Sequence, residues 1–189
     1  MSTDSLVNLM EKYKEDYYQE KGKNSFFKKG QKQDCAKEMS KVFQLEEMIQ
    51  QTTYIIPETN KIVFNYTIFK LYANDDNYQT IIQKVITLYD EILVNHAKFE
   101  AHVILDTFTI SAAERYKNAI KMFCEMCMNS NTKYTEFMEK MYIYYTPSMI
   151  ESIATILRPF IDTSIQSRIV YYSKVESKEL LEKLFVSIA

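Results

Sequence analysis

Cys124-Glu125-Met126-Cys127 has the C-x-x-C spacing, the first place where residue type and separation suggest chemistry. A redox pair of this kind needs its first thiol at a helix N-terminus just after a strand, where the helix dipole lowers the pKa. This pair falls well inside a helical pattern, and no second pair completes a zinc site, so structural thiols are the favoured reading. His96 and His102 are the only histidines. Their spacing crosses a helix end and a strand start, with no H-E-x-x-H or paired-acid pattern beside them, so ordinary surface or core histidines are expected and no metal. Asp106 ends a strand at the carboxyl edge, where α/β proteins place ligands. Thr107, Thr109 and Ser111 beside it read better as turn and cap residues than as a nucleophile or base. No catalytic residue and no cofactor is expected, and the chain does not read as an enzyme.

Two stretches suggest binding instead. Phe26 and Phe27 are followed by Lys28 and Lys29 in a lysine-rich run without acids. Such a loop could dock on an anionic bilayer, the lysines attracted by charge and the rings entering the headgroup zone. The alternative is a solvated loop whose phenylalanines fold back onto the protein. After Pro147, the apolar residues Met149, Ile150, Ile153, Ala154, Ile156, Leu157 and Phe160 cover more than one helix face, interrupted by Glu151, Ser152, Thr155 and Arg158. A helix of that pattern is either deeply buried or forms the wall of an apolar cavity.

The elements that position these residues follow from periodicity. Leu6, Met10, Tyr13 and Tyr17 mark an amphipathic helix over 4–20. A loop and hinge over 21–32, holding both glycines, leads to a helix over 34–51 with Met39, Val42, Phe43 and Ile49 inward. Residues 62–69 read as a strand. Asp75 or Asp76 caps a long helix with Tyr78, Ile81, Ile82, Val85, Leu88, Tyr89, Ile92 and Leu93 on its inner face. A strand at 103–105 and a capping box at Ser111–Glu114 follow, the latter opening a helix with Tyr116, Ile120, Phe123 and Cys127 inward. Strands at 141–145 and 168–172 flank a helix that starts at the box Ser148–Glu151 and stops near Pro159. A last helix carries Leu180, Leu181, Leu184 and Phe185. Strands alternating with helices imply βαβ crossovers, so the fold class is α/β: a mainly parallel β-sheet preceded by an N-terminal helical segment.

Composition narrows the function further. The 189 residues carry 23 Lys plus Arg against 25 Asp plus Glu, a formal charge of -2, which disfavours a basic nucleic-acid binder. Only 2 glycines leave little room for a glycine-rich phosphate loop. The opening MSTDSLVNLM lacks a secretory pattern, no apolar run is long enough to span a bilayer, and three cysteines give no disulfide framework. These features fit a reduced, cytoplasmic protein.

The stretch from Tyr134 to Pro147, with Glu136, Met138, Lys140, Tyr142 and Ile143 in register, resembles the Y-P-E-x-M-x-K-x-Y-I-x-N-x-P motif of Sec14-like (CRAL-TRIO) lipid-binding domains. Thr135 stands where that motif has Pro, and Tyr145 where it has Asn. Residues 156–162 resemble the family's K-P-F-L-D, and Ser167–Val170 its S-K-I-x-F; Val103–Asp106 sits where the family has an apolar strand ending in Asp. The resemblance implies a Sec14-like fold over 59–189, with residues 1–58 as a helical segment packed on it. It implies non-enzymatic binding, or transfer, of a lipid or similar apolar small molecule in a pocket floored by the sheet and gated by helix 148–160. Glu136 matches an acidic residue of the headgroup region. The ligand-binding set expected on this basis is Glu136, Tyr144, Ile153, Ile156, Leu157 and Phe160. The partners expected are the lipid, a peripheral membrane contact through Phe26, Phe27, Lys28 and Lys29, and a protein partner, with no nucleic acid. The alternative is a protein-interaction module of the same fold with its pocket packed shut.

Overall fold

The computed structural model describes the backbone of residues 3–23 and 28–186 and the side chains of 6–23 and 30–186. Three helices open the chain: α1 (Thr3–Lys21), α2 (Lys28–Val42) and α3 (Leu45–Thr52). The apolar stripe of α1 turns inward, with Leu6, Met10 and Tyr17 buried and Tyr13 packed against the core. Two expectations for this region are corrected. The run 21–32 is not all loop, because α2 already begins at Lys28 and includes Gly30; only Gly22, at φ +68°, uses glycine's freedom to leave α1. The helix expected over 34–51 is two helices separated by a turn at Phe43 and Gln44. Val42 therefore points outward, 57% exposed, while Met39 and Ile49 are fully buried. Phe26 and Phe27 lie outside the described residues, and Lys28 and Lys29 are described by their backbone alone.

Five strands make one sheet in chain order: β1 (Thr53–Ile55), β2 (Lys61–Asn65), β3 (Phe99–Ile104), β4 (Met138–Tyr144) and β5 (Ile169–Tyr171). β1 pairs antiparallel with β2, and the other three pairings are parallel. The first crossover runs through α4 (Tyr66–Tyr72) and α5 (Tyr78–Asn95), the second through α6 (Ile110–Asn129) and α7 (Tyr134–Phe137). The third uses α8 (Ile150–Leu157), a 3-10 turn (Arg158–Phe160) and α9 (Thr163–Gln166). Crossovers of one hand between successive neighbours put their helices on the same face of the sheet. The final helix, α10 (Lys174–Val186), packs on the opposite face through Leu181 and Leu184.

Local chemistry moves several boundaries. The strand expected over 62–69 stops at Asn65, whose Oδ1 accepts from the Thr67 backbone N–H at 2.9 Å and its hydroxyl at 2.7 Å, capping α4. The aromatic residues that read as strand become the buried face of that helix. Asp75 and Asp76 do not cap α5. Asn74 and Asn77 build the preceding turn, Asn77 Oδ1 accepting from the Asn74 N–H at 2.9 Å. Thr109, not Ser111, caps α6, accepting from the Ala112 N–H at 3.2 Å. The box expected at Ser148 does not form, and α8 begins at Ile150 after Met149, which supplies no side-chain cap.

Candidate functional site

Alternation along the strands sorts side chains onto two faces. Val63, Ile104 and Tyr144 pack with Ile56 beneath α10. Phe64, Ala101, Met141 and Ile143 point the other way, toward the crossover helices. There the helices do not close down on the sheet. A cavity of about 520 Å³ remains, walled by Ile81 and Val85 of α5 and Ala119 and Phe123 of α6, and roofed by Ile150, Ile153, Ala154 and Leu157 of α8. That volume lies within the range of roughly 300–1,000 Å³ typical of small-molecule sites. Four polar residues of its lining, Glu151, Arg158, Asp162 and Gln166, come from α8 and the segment after it. A larger concavity of about 740 Å³, between α2 and the Asn74–Asn77 turn, is an open groove lined by mixed charges such as Asp34, Lys37 and Glu38. It excludes little water and offers an apolar ligand nothing.

The six residues expected to meet ligand divide between cavity and elsewhere. Ile153, 2% exposed, and Leu157 line the cavity. Ile156 packs against the core from the flank of α8 without bordering the space. Phe160 follows in the 3-10 turn, its ring centroid 5.9 Å from Lys117 Nζ on α6, also away from the lining. Glu136 is exposed on α7, 3.7 Å from Lys133; its neighbours Tyr134 and Thr135 line the cavity in its place. Tyr144 is on the wrong face, because Ile143 points into the cavity and the next residue along a strand must point away.

Tyr144 instead completes a buried polar pair. Its hydroxyl lies 2.9 Å from His102 Nδ1, and the two rings stack at 5.9 Å. Burial, with Lys61 as a lesser cause, pushes the His102 pKa down to about 4, so the imidazole is neutral. The cysteine pair borders the cavity, with burial pushing Cys124 up to about 11 and Cys127 up to about 12. Thiols held protonated in this way are poor nucleophiles, the reverse of what redox use requires. Near Asp106, Thr109 is spent as a cap and the Thr107 hydroxyl accepts from Lys70 Nζ at 2.8 Å. Among the described residues no three His, Cys, Asp or Glu side chains gather where they could hold a metal ion. None of the described helices is long and apolar enough to cross a membrane.

Sequence reasoning assigned no ligand role to one part of the site. Tyr66, Phe69, Tyr78, Phe108 and Tyr116 converge from four segments at the carboxyl edge of β2 and β3 and line that end of the cavity. Tyr78 and Tyr116 were legible as inward residues of their helices, whereas their meeting depends on the turn at Asn65.

A search of curated proteins returns no match to this chain. Residues 59–186 match the model of the CRAL/TRIO domain. That match spans the whole parallel sheet, all three crossovers and all of the cavity lining but Thr53, so the chain belongs to the CRAL/TRIO domain family, whose members bind lipids and other lipophilic small molecules.

Proposed function

We propose that this protein binds a lipid or similar apolar molecule in the cavity between the sheet and α8, without catalysis, and that residues 148–160 act as its gate. The observation that carries the reading is the unfilled apolar space of about 520 Å³ under α8 in a chain rich enough in Tyr and Phe to have filled it. Burying each CH₂ contributes about 0.8 kcal/mol, so a dozen carbons supply on the order of 10 kcal/mol before entropic costs. Two properties of α8 support the gate. It is a short helix without an N-terminal side-chain cap, and its outer end unwinds into a 3-10 turn at Arg158–Phe160. Entry from a bilayer would be aided by docking of Phe26 and Phe27 with Lys28 and Lys29, each lysine contributing about 1 kcal/mol on an anionic surface.

Organic extraction of the purified protein, followed by mass spectrometry, tests the central reading. We expect a near-stoichiometric apolar ligand, or uptake of one from vesicles after stripping. Neither extractable ligand nor uptake would sink it, and a protein-interaction role for the fold would then take precedence. Sedimentation with anionic vesicles tests the docking segment, since the F26A/F27A double variant should bind more weakly than the unaltered protein.

A further inference from the structure

The charged side chains that line the cavity, Glu151, Arg158 and Asp162, all belong to α8 and the segment after it. The sheet floor and the walls from α5 and α6 bring hydroxyls and thiols instead. Six tyrosines border the space. Tyr78 accepts from Gln33, Tyr116 is held by Arg115, and Tyr134 donates to Asp90. Tyr66, Tyr89 and Tyr171 have no hydrogen-bond partner among the described residues, and Tyr171 is 47% exposed to water. Tyr89 is 5% exposed, its ring stacked on Phe99 at 4.4 Å and touching Phe123 and Tyr134. Its oxygen is not sealed inside the protein, as the unpartnered Thr53 hydroxyl is, so the space that it borders is the cavity. Burial raises the Tyr89 hydroxyl well above its ordinary range, with the neighbouring Cys127 and Cys124 thiols as lesser causes. A protonated phenol without a partner therefore stands beside two protonated thiols on the wall of an apolar chamber, and a buried polar group left in this state is satisfied when a ligand supplies its acceptor.

We infer that the Tyr89 hydroxyl donates to the uncharged oxygen of a single-tail lipid, such as an alcohol or an ester, whose hydrocarbon fills the rest of the cavity. The inference rests on the cavity being a ligand site and adds the chemical class of the ligand. Volume sets the number of tails. At about 30 Å³ per non-hydrogen atom, the share of a water molecule in the liquid, 520 Å³ holds about 17 atoms, roughly a third of a two-chain phospholipid. Charge sets the kind of oxygen. A carboxylate or phosphate beside Tyr89 would give up its hydration and meet no cation there, only rings and thiols, whereas a neutral oxygen is cheaper to desolvate. Tyr66, at the ring-lined end, is the rival donor, and the two differ in which phenylalanine variant loses the contact.

The test titrates stripped full-length protein with hexadecan-1-ol, hexadecane, palmitate and dipalmitoyl phosphatidylcholine, at about pH 8 where palmitate is ionised. The unaltered protein should bind the alcohol about tenfold or more tightly than palmitate and should not retain the phospholipid. Y89F should weaken the alcohol about threefold to tenfold, the worth of one hydrogen bond, and leave hexadecane unchanged. Without ligand, Y89F should melt no earlier than the unaltered protein, because the hydroxyl it removes has no partner to lose. Palmitate bound as tightly as the alcohol, or one phospholipid held per chain, overturns the inference and leaves the lipid reading standing. So does a Y89F variant that binds the alcohol as the unaltered protein does, or a selective loss of the alcohol in Y66F in place of Y89F. If Y89F does not fold, the order of alcohol, palmitate and phospholipid in the unaltered protein decides. Failure of all four ligands to bind overturns both readings together.

Discussion

The side chains of His102 and Tyr144 meet on the face of the sheet opposite the cavity, which His102 borders through its backbone, and their contribution is to stability. The imidazole is 4% exposed, holds the Tyr144 hydroxyl through Nδ1, and has no hydrogen-bond partner for Nε2. Because the folded pKa of about 4 lies below the ordinary 6.5, the unfolded chain binds the proton more readily between those values. The stabilising effect is therefore complete above about pH 6.5 and is lost as pH falls toward 4. Between pH 7 and pH 5 this amounts to about 2 kcal/mol by linkage. Urea unfolding at the two pH values should show that loss, and H102N should show a shallower dependence. Identical slopes for the two proteins would remove His102 from the account.

At the scale of elements, α8 is the helix whose apolar character has to be divided between core and cavity. Ile153 is nearly inaccessible and joins the main apolar cluster, so I153A should cost about 2–5 kcal/mol of folding stability. Leu157 is half-buried and borders space that is already empty, so L157A should cost less, about 1–2 kcal/mol, while speeding ligand release. Chemical denaturation and the dissociation rate of a bound fluorescent fatty acid separate the two effects; equal stability losses with unchanged release would make α8 a core helix. Much of this element was legible in the sequence, because seven apolar residues in a twelve-residue stretch leave few places for it to lie. Which of them meet the cavity was not, since Ile156 and Leu157 are adjacent in sequence and differ only in the direction α8 gives them. Tyr144 was missed for another reason. A motif match assigns a position, but only the strand's alternation assigns a face. The parallel crossovers were readable from the strand–helix rhythm, whereas β1 and the break at Asn65 were not. A three-residue edge strand has too little pattern to see, and the cap of α4 overrides the strand preference of Tyr66–Phe69.

For the whole molecule, the question is whether the N-terminal helices are an appendage or part of the folding unit. The family match begins at residue 59, yet Leu6 and Met10 of α1, Met39 of α2, and Met48 and Ile49 of α3 belong to the same buried cluster as Tyr72, Ile81, Phe99 and Tyr116. Tyr72 carries the connection in polar form as well, its hydroxyl 2.8 Å from Thr52 and its carbonyl accepting from the Ser40 hydroxyl of α2 at 3.0 Å. Each fully buried apolar side chain contributes roughly 1.5–3 kcal/mol, and a domain's net stability is only about 5–15 kcal/mol. Removing five such side chains, together with the antiparallel edge strand β1, exceeds what the remainder can lose and still fold. The full chain should therefore unfold in one cooperative transition, and a fragment of residues 59–189 should give no sharp transition and bind no ligand. The Tyr78 hydroxyl would also lose Gln33 in that fragment, so the ring-lined corner depends on the same helices that complete the core. A 59–189 fragment that melts cooperatively and takes up ligand would show that the N-terminal helices are dispensable to the fold.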